Sequence, residues 1–446
     1  PALVGGLAVA LAVSLAVNAI VALRLKDESD QQAKLRVQVA NLQAELDALR
    51  KQSPQGGVSL LARIASAMEE LRHLTFTKVV KPELLTDEQL AARVEEQFKK
   101  DSPRAELEKD DAVLTALGLL GPRDDLFDIL LGVQREQVAG FYDTKKKVLV
   151  VGGDVKNPTP LDQVLLAHEY VHALTDQHFD LTRYDTMTDE GKDDEATAYL
   201  SLLEGDATVM MFEYAREYLT PSQQQDVQNE AAGVPSNKLL AAPNVIRQSL
   251  LFPYEKGQEF VGAIIGSGGT AALDKAYKDP PTSTEQILHP SKYLSRRDDP
   301  TPLDMPDLAR AMGSGWTALP GGGIGEFDIQ LLIDQFLSSG DARDAAAGWD
   351  GGRYVAADSS KGTAVAIETV WDSPTEAREA SSVLERWLPG RYANEGADVR
   401  IQGATGRGWD SPDGAGAVTR NGTRVLIVVG PDRASVDRAR SAFPGF

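Results

Sequence analysis

The chain contains no cysteine in 446 residues. That excludes disulfides, thiolate-bound zinc and thiol catalysis, and it suits an exported protein built without disulfides. Histidine is nearly as scarce, with five residues. Basic residues number 46 against 66 acidic ones, leaving a formal net charge of −20. Nucleic acid and an anionic membrane surface both require basic patches, so neither is expected as the main partner. There is no internal repeat and no phosphate loop. Gly266-Ser267-Gly268-Gly269 lacks the Lys-Ser/Thr that such a loop needs.

Against that scarcity, three of the five histidines (His168, His172 and His178) fall within eleven residues. His168-Glu169-Tyr170-Val171-His172 reads HExxH inside an apolar run, Leu161 to Leu174. Thr159 as N-cap and Pro160 at the first helical position open a helix there. Residues four apart on a helix are separated by about 40° of rotation and about 6 Å of rise. Both imidazoles can therefore reach one metal ion. Glu169 is then placed to take a proton from a water on that ion.

Zinc hydrolases use three protein ligands and leave a position for water. His178 would complete an H-E-x-x-H-x5-H pattern, but a continuing helix carries it roughly 15 Å along the axis from His168. Glu204 is the stronger candidate. It stands with Gly205 and Asp206 on the apolar face of a helical stretch, residues 193–216, where a lone carboxylate is costly. Gly205 weakens that helix and signals the close approach of another element. Glu195, at the start of the stretch, suits a helix N-terminus instead. Asp206 points elsewhere and is expected to hold a histidine of an adjacent element in place.

HEYVH, the following ALTDQHFD and the later EGDA resemble the gluzincin-like zinc metallopeptidases, and similar motifs occur in bacterial membrane-attached peptidases. The resemblance covers roughly residues 135–295. It implies a zincin-like α+β core, a zinc ion on His168, His172 and Glu204, Glu169 as general base, and a peptide or protein substrate. It also implies a downstream His or Tyr that stabilises the oxyanion; His289 and Tyr254 are the candidates. The chain departs from the pattern at Leu203, where an asparagine is usual, and in the 32 residues separating His172 from Glu204.

Residues Ala2 to Leu23 carry no charge, and about 20 such residues span a bilayer. Residues 1–25 are expected to be a single-pass anchor in the cell membrane, with the bulk of the chain extracytoplasmic. The chain opens on Pro1 rather than Met, so an upstream segment is expected. Leu35, Val39, Leu42, Leu46 and Leu49 form a short heptad seam, suited to pairing protomers or holding a membrane-protein partner. Residues 26–57 are thus a stalk and linker. The largely helical catalytic core is expected over 58–335, with a small α+β domain over 336–446. A hairpin before the motif helix, residues 138–142 and 147–151, is a candidate for strand addition by a peptide, through its second strand. The composite expectation is a membrane-anchored zinc metallopeptidase. The alternative is a non-catalytic accessory or scaffold subunit of a membrane assembly.

Overall fold

The computed structural model describes residues 60–446, apart from 138–139, 153–157, 235, 402 and 404. The expected anchor and stalk lie outside the described residues. Among those described, no helix is long and apolar enough to cross a membrane. The fold is mixed α+β: a helical half around a small sheet, followed by a seven-stranded antiparallel sheet flanked by helices.

In the helical half, local signals set the boundaries. Thr86 caps Asp87–Asp101 reciprocally with Gln89: the Gln89 amide donates to Thr86 Oγ1 at 3.2 Å, and the Thr86 amide donates back to Gln89 Oε1 at 3.0 Å. Pro103 then opens Arg104–Leu117, which ends at Gly118 in the left-handed conformation. Three short strands form the small sheet: β1 (Glu83–Leu84), β2 (Gly140–Asp143) and β3 (Val148–Val151), in the order β1-β3-β2. The hairpin thus forms, but its second strand is interior, paired parallel to β1 and antiparallel to β2. Strand addition at β3 is accordingly blocked, and β2 is the edge.

Three helices carry the expected site residues other than His289. The motif helix, Pro160–Phe179, starts at the Thr159 cap with Asp162 closing the box. The Glu204 helix, Asp193–Tyr218, crosses it. The long helix, Asn244–Lys278, packs along the Glu204 helix, and the close approach expected at Gly205 is to Gly257. Gly268 and Gly269 kink this helix, with Gly269 at φ +67°, and a further helical run continues to Lys278. Apolar residues of these helices and of Leu60–Arg72, such as Ile64, Met68, Val164, Val171, Met211 and Tyr254, form one buried cluster.

The large sheet has the order β4-β5-β6-β10-β9-β8-β7: β4 (Trp316–Gly323), β5 (Trp349–Ser359), β6 (Gly362–Trp371), β7 (Ala397–Val399), β8 (Thr405–Ser411), β9 (Gly414–Asn421) and β10 (Arg424–Gly430). It begins twenty residues before the expected boundary at 336, because β4 pairs with β5. The β9–β10 turn falls at Gly422-Thr423, with Gly422 at φ +61°. Period-2 alternation splits β6 and β10 between two layers. Val365, Ile367, Val425 and Ile427 face helix Pro374–Gly390 and the helical half, whereas Ala364, Ala366, Leu426 and Val428 face helix Arg433–Arg440. Burial on both faces explains why these strands read as continuous apolar runs. Helix Arg104–Leu117 lies on β6, and a single apolar cluster runs from Leu114 through Tyr199 to Ile427. The two halves share a core.

Candidate metal centre

His168, His172 and Glu204 each offer one ligand atom, and these atoms lie within 4.8 Å of one another. It is the one such group of three among the described residues. His168 Nε2 is 3.1 Å from Glu204 Oε2 and 3.1 Å from His172 Nε2, which is itself 3.4 Å from Glu204 Oε2. Ligand atoms about 2.0–2.1 Å from a tetrahedral zinc ion stand about 3.3–3.4 Å apart. The three edges therefore fit a zinc-sized cation with little movement. The helical spacing turns both imidazoles to one side, with ring centroids 4.8 Å apart and planes at 76°. Glu204 comes from the second helix, which the glycine contact one residue on packs against the long helix.

The charges are mutually arranged. Burial works against ionising Glu204, yet the neighbouring His172 and the contacts with both imidazoles pull its carboxyl down to about 2. Burial likewise opposes protonation of His172, but the Glu204 carboxylate outweighs it and raises the imidazole to about 9. His168 moves the other way: burial holds it neutral, reinforced by His172. Without a cation, Glu204 and His172 form a buried ion pair. A small void of about 10 Å³ lies against His172, Glu204, Tyr142 and Tyr184, room for about one water-sized species.

Glu169 is buried beside the triad without joining it. Its Oε2 accepts the backbone N–H of Tyr142 in β2 at 2.8 Å, and its Oε1 has no partner among the described residues. Burial, with the charge of Glu204, pushes this carboxyl up to about 8. Tyr142 also donates its hydroxyl to Asp176 of the motif helix at 2.8 Å. The edge strand is thus tied to the motif helix at both its backbone and its side chain. Asp176 further accepts from Lys147 Nζ at 2.8 Å and from the Leu181 amide at 2.9 Å. The Tyr142 amide could not be foreseen, since backbone donors carry no residue signature. Asp176, four residues after His172 on the motif face, could have been found from that spacing.

The remaining expected residues divide. Tyr254 is beside the triad: its ring stacks on His168 at 6.2 Å, and its buried hydroxyl lies close to the Glu204 carboxylate. Burial and the nearby Glu204 and Glu169 carboxyls raise that hydroxyl well above its ordinary range. His289 is engaged elsewhere, its Nε2 3.0 Å from Glu326 after helix Thr284–Leu288. A histidine held by a carboxylate there is not available to the triad as placed. Asp206 makes no hydrogen bond to a histidine among the described residues: its Oδ2 accepts from Arg72 Nε at 2.9 Å and from the Tyr277 hydroxyl at 2.8 Å, while its Oδ1 and His168 Nδ1 are both buried without a hydrogen-bond partner. Arg72, which lies 134 positions away in sequence, and Tyr277 thus fix one oxygen of this carboxylate. His178 turns from the site, with Nε2 2.9 Å from the Thr75 carbonyl.

Residues 320–440 match a family described as a domain of unknown function (DUF8575). The match falls on the large sheet and its helices and excludes the triad. No curated protein and no solved structure matches the chain.

Proposed function

We propose that this protein is a zinc-dependent peptidase of gluzincin-like type, with a zincin-like core, tethered to a membrane through residues 1–25. The observation that carries this reading is the convergence of two imidazole nitrogens and one carboxylate oxygen, from two helices, beside a carboxyl that is not among them. A purely structural metal site needs ligands but has no use for Glu169.

A zinc ion on His168, His172 and Glu204 supplies Lewis acidity toward a water molecule and a peptide carbonyl. Glu169 accepts the proton of the attacking water through Oε1 and passes it to the leaving amine. The Tyr142 amide keeps the other carboxylate oxygen fixed, so that one geometry serves both transfers. Tyr254, and not His289, is the expected oxyanion donor that lies beside the triad. The apolar stretch 2–23 keeps the body at the extracytoplasmic face, and the seam at 35–49 pairs protomers or a membrane partner.

The test is hydrolysis of a mixed fluorogenic peptide pool by the zinc-loaded full chain in detergent. Wild type should cleave, a chelator should abolish cleavage, and Glu169→Gln should bind zinc while losing about 100-fold or more of the rate. Stoichiometric zinc with no cleavage by wild type would instead favour the accessory role.

A further inference from the structure

Next to the triad, between β2, helix Asp87–Asp101 and helix Arg183–Asp189, runs an open cleft of about 190 Å³. Tyr142, Thr144, Tyr184 and Asp185 line both this cleft and the small void touching His172 and Glu204. The cleft therefore adjoins the void at the triad, with these four residues common to both. Its walls are acidic: Asp101, Asp143, Asp185 and Asp189 against one cation, Lys145. At its lining lies Gln134, buried, with a side-chain oxygen that no donor satisfies among the described residues. A buried acceptor left unpaired costs about 1–3 kcal/mol. An entering hydrogen-bond donor would recover that cost.

We propose that this cleft is a specificity subsite for a basic side chain, arginine or lysine, of the peptide that the triad hydrolyses. The proposal rests on the peptidase reading of the triad. The carboxylates differ in how firmly they are held. Asp143 is satisfied within its own turn, by the Lys145 and Lys146 amides and by Lys146 Nζ at 2.9 Å. Asp101 and Asp185 share only the loose ammonium of Lys145, at 3.8 and 3.5 Å, although Asp101 also accepts from Gln97. Asp189 has no ion-pair partner among the described residues and is exposed. Burial, with the like charges of Asp101 and Asp189, raises Asp185 despite Lys145.

Lys145 sits on the β2–β3 turn with its side chain about half exposed. It shows that the cleft accepts an alkylammonium, and it can swing to solvent when a substrate cation enters. The loosely held Asp101 and Asp185 carboxylates, the exposed Asp189 and the Gln134 oxygen are all acceptors, which matches the donor-only inventory of arginine and lysine. A guanidinium can also span two carboxylates. Acidic and uncharged residues at the same position would leave the aspartates facing each other.

The experiment measures peptide binding to the zinc-loaded full chain in detergent, carrying Glu169→Gln to prevent turnover. Fluorescein-labelled octapeptides of Ala and Leu carry one arginine at each position in turn, each paired with its neutral citrulline counterpart. The expected result is one register in which arginine binds at least tenfold tighter than citrulline. Asp101→Asn/Asp185→Asn should erase that difference, and Lys145→Ala should enlarge it. Asp189→Asn, on an exposed residue, provides a second variant that should weaken it without risk to the fold. Equal binding in every register would overturn the proposal, as would an arginine preference that survives the double variant, which would mark attraction to the overall acidic protein. Hydrolysis by wild type without basic preference would leave the peptidase standing and remove the subsite. Selective arginine binding with no hydrolysis would do the reverse.

Discussion

Gly205 of the Glu204 helix and Gly257 of the long helix lie back to back. A Cβ built on Gly205 would overlap the Gly257 carbonyl, and one built on Gly257 would overlap the Ser201 carbonyl. Backbone stands on both sides, so neither contact can be relieved by a rotamer change. The crossing fixes the helix that carries Glu204 one residue before the contact.

Gly205→Ala should therefore destabilise the protein by about 1–3 kcal/mol, the usual range for overpacking. Gly262→Ala is the matched control: it lies in the same long helix, is exposed, and meets nothing within 4 Å. That change should stabilise by about 0.5–1 kcal/mol through helix propensity. Urea denaturation of the two variants checks both signs.

Zinc binding should release at least one proton at pH 7, from His172, and a second where the ion ionises Glu169, which burial holds near 8. His172, held near 9 by Glu204 against its burial, is protonated before the metal arrives, while His168 is neutral and Glu204 ionised. Calorimetry in buffers of different ionisation enthalpy counts the protons. Zero release would contradict the buried ion pair.

Glu204→Ala and His172→Ala should each lose zinc on dialysis, with His178→Ala retaining it. The imidazole of His178 is tied to the Thr75 carbonyl. Metal content after dialysis against a weak chelator decides the matter, and zinc loss from the His178 variant would count against the triad.

Stability should fall as pH rises from about 5 to about 8. Burial raises Asp110, Asp193 and Glu285 to about 7, Asp194 to about 8 and Asp328 to about 6. Unfolded carboxyls titrate near 4, so in this window the native state holds protons that the unfolded chain has lost. That contribution is complete below the unfolded value and disappears through the folded one. The urea midpoint should be higher at pH 5.5 than at pH 8, and Asp194→Asn should flatten the difference. A midpoint that rises toward pH 8 would contradict it.

The sequence was most legible where the physics is local. Thr159, Pro160 and the histidine spacing define the motif helix without help from the rest of the chain. Glu204 could be picked out because a carboxylate on an apolar face demands a partner. Long-range pairings were not legible. Arg72 takes Asp206 from across the fold, Glu326 takes His289, and the Tyr142 amide that reaches Glu169 leaves no mark in the sequence. The four aspartates of the cleft lie on three separate elements, so only folding brings them together. β4 escaped notice because its Gly321-Gly322-Gly323 end reads as loop. Those glycines instead admit Tyr354 and Asp193 at close range.

Whether His168, His172 and Glu204 together grip one metal ion is decided by anomalous diffraction at the zinc edge from zinc-soaked crystals of the protein. A single strong peak is expected about 2 Å from both Nε2 atoms and from a Glu204 oxygen. A zinc-loaded crystal with no peak among those three side chains would contradict it.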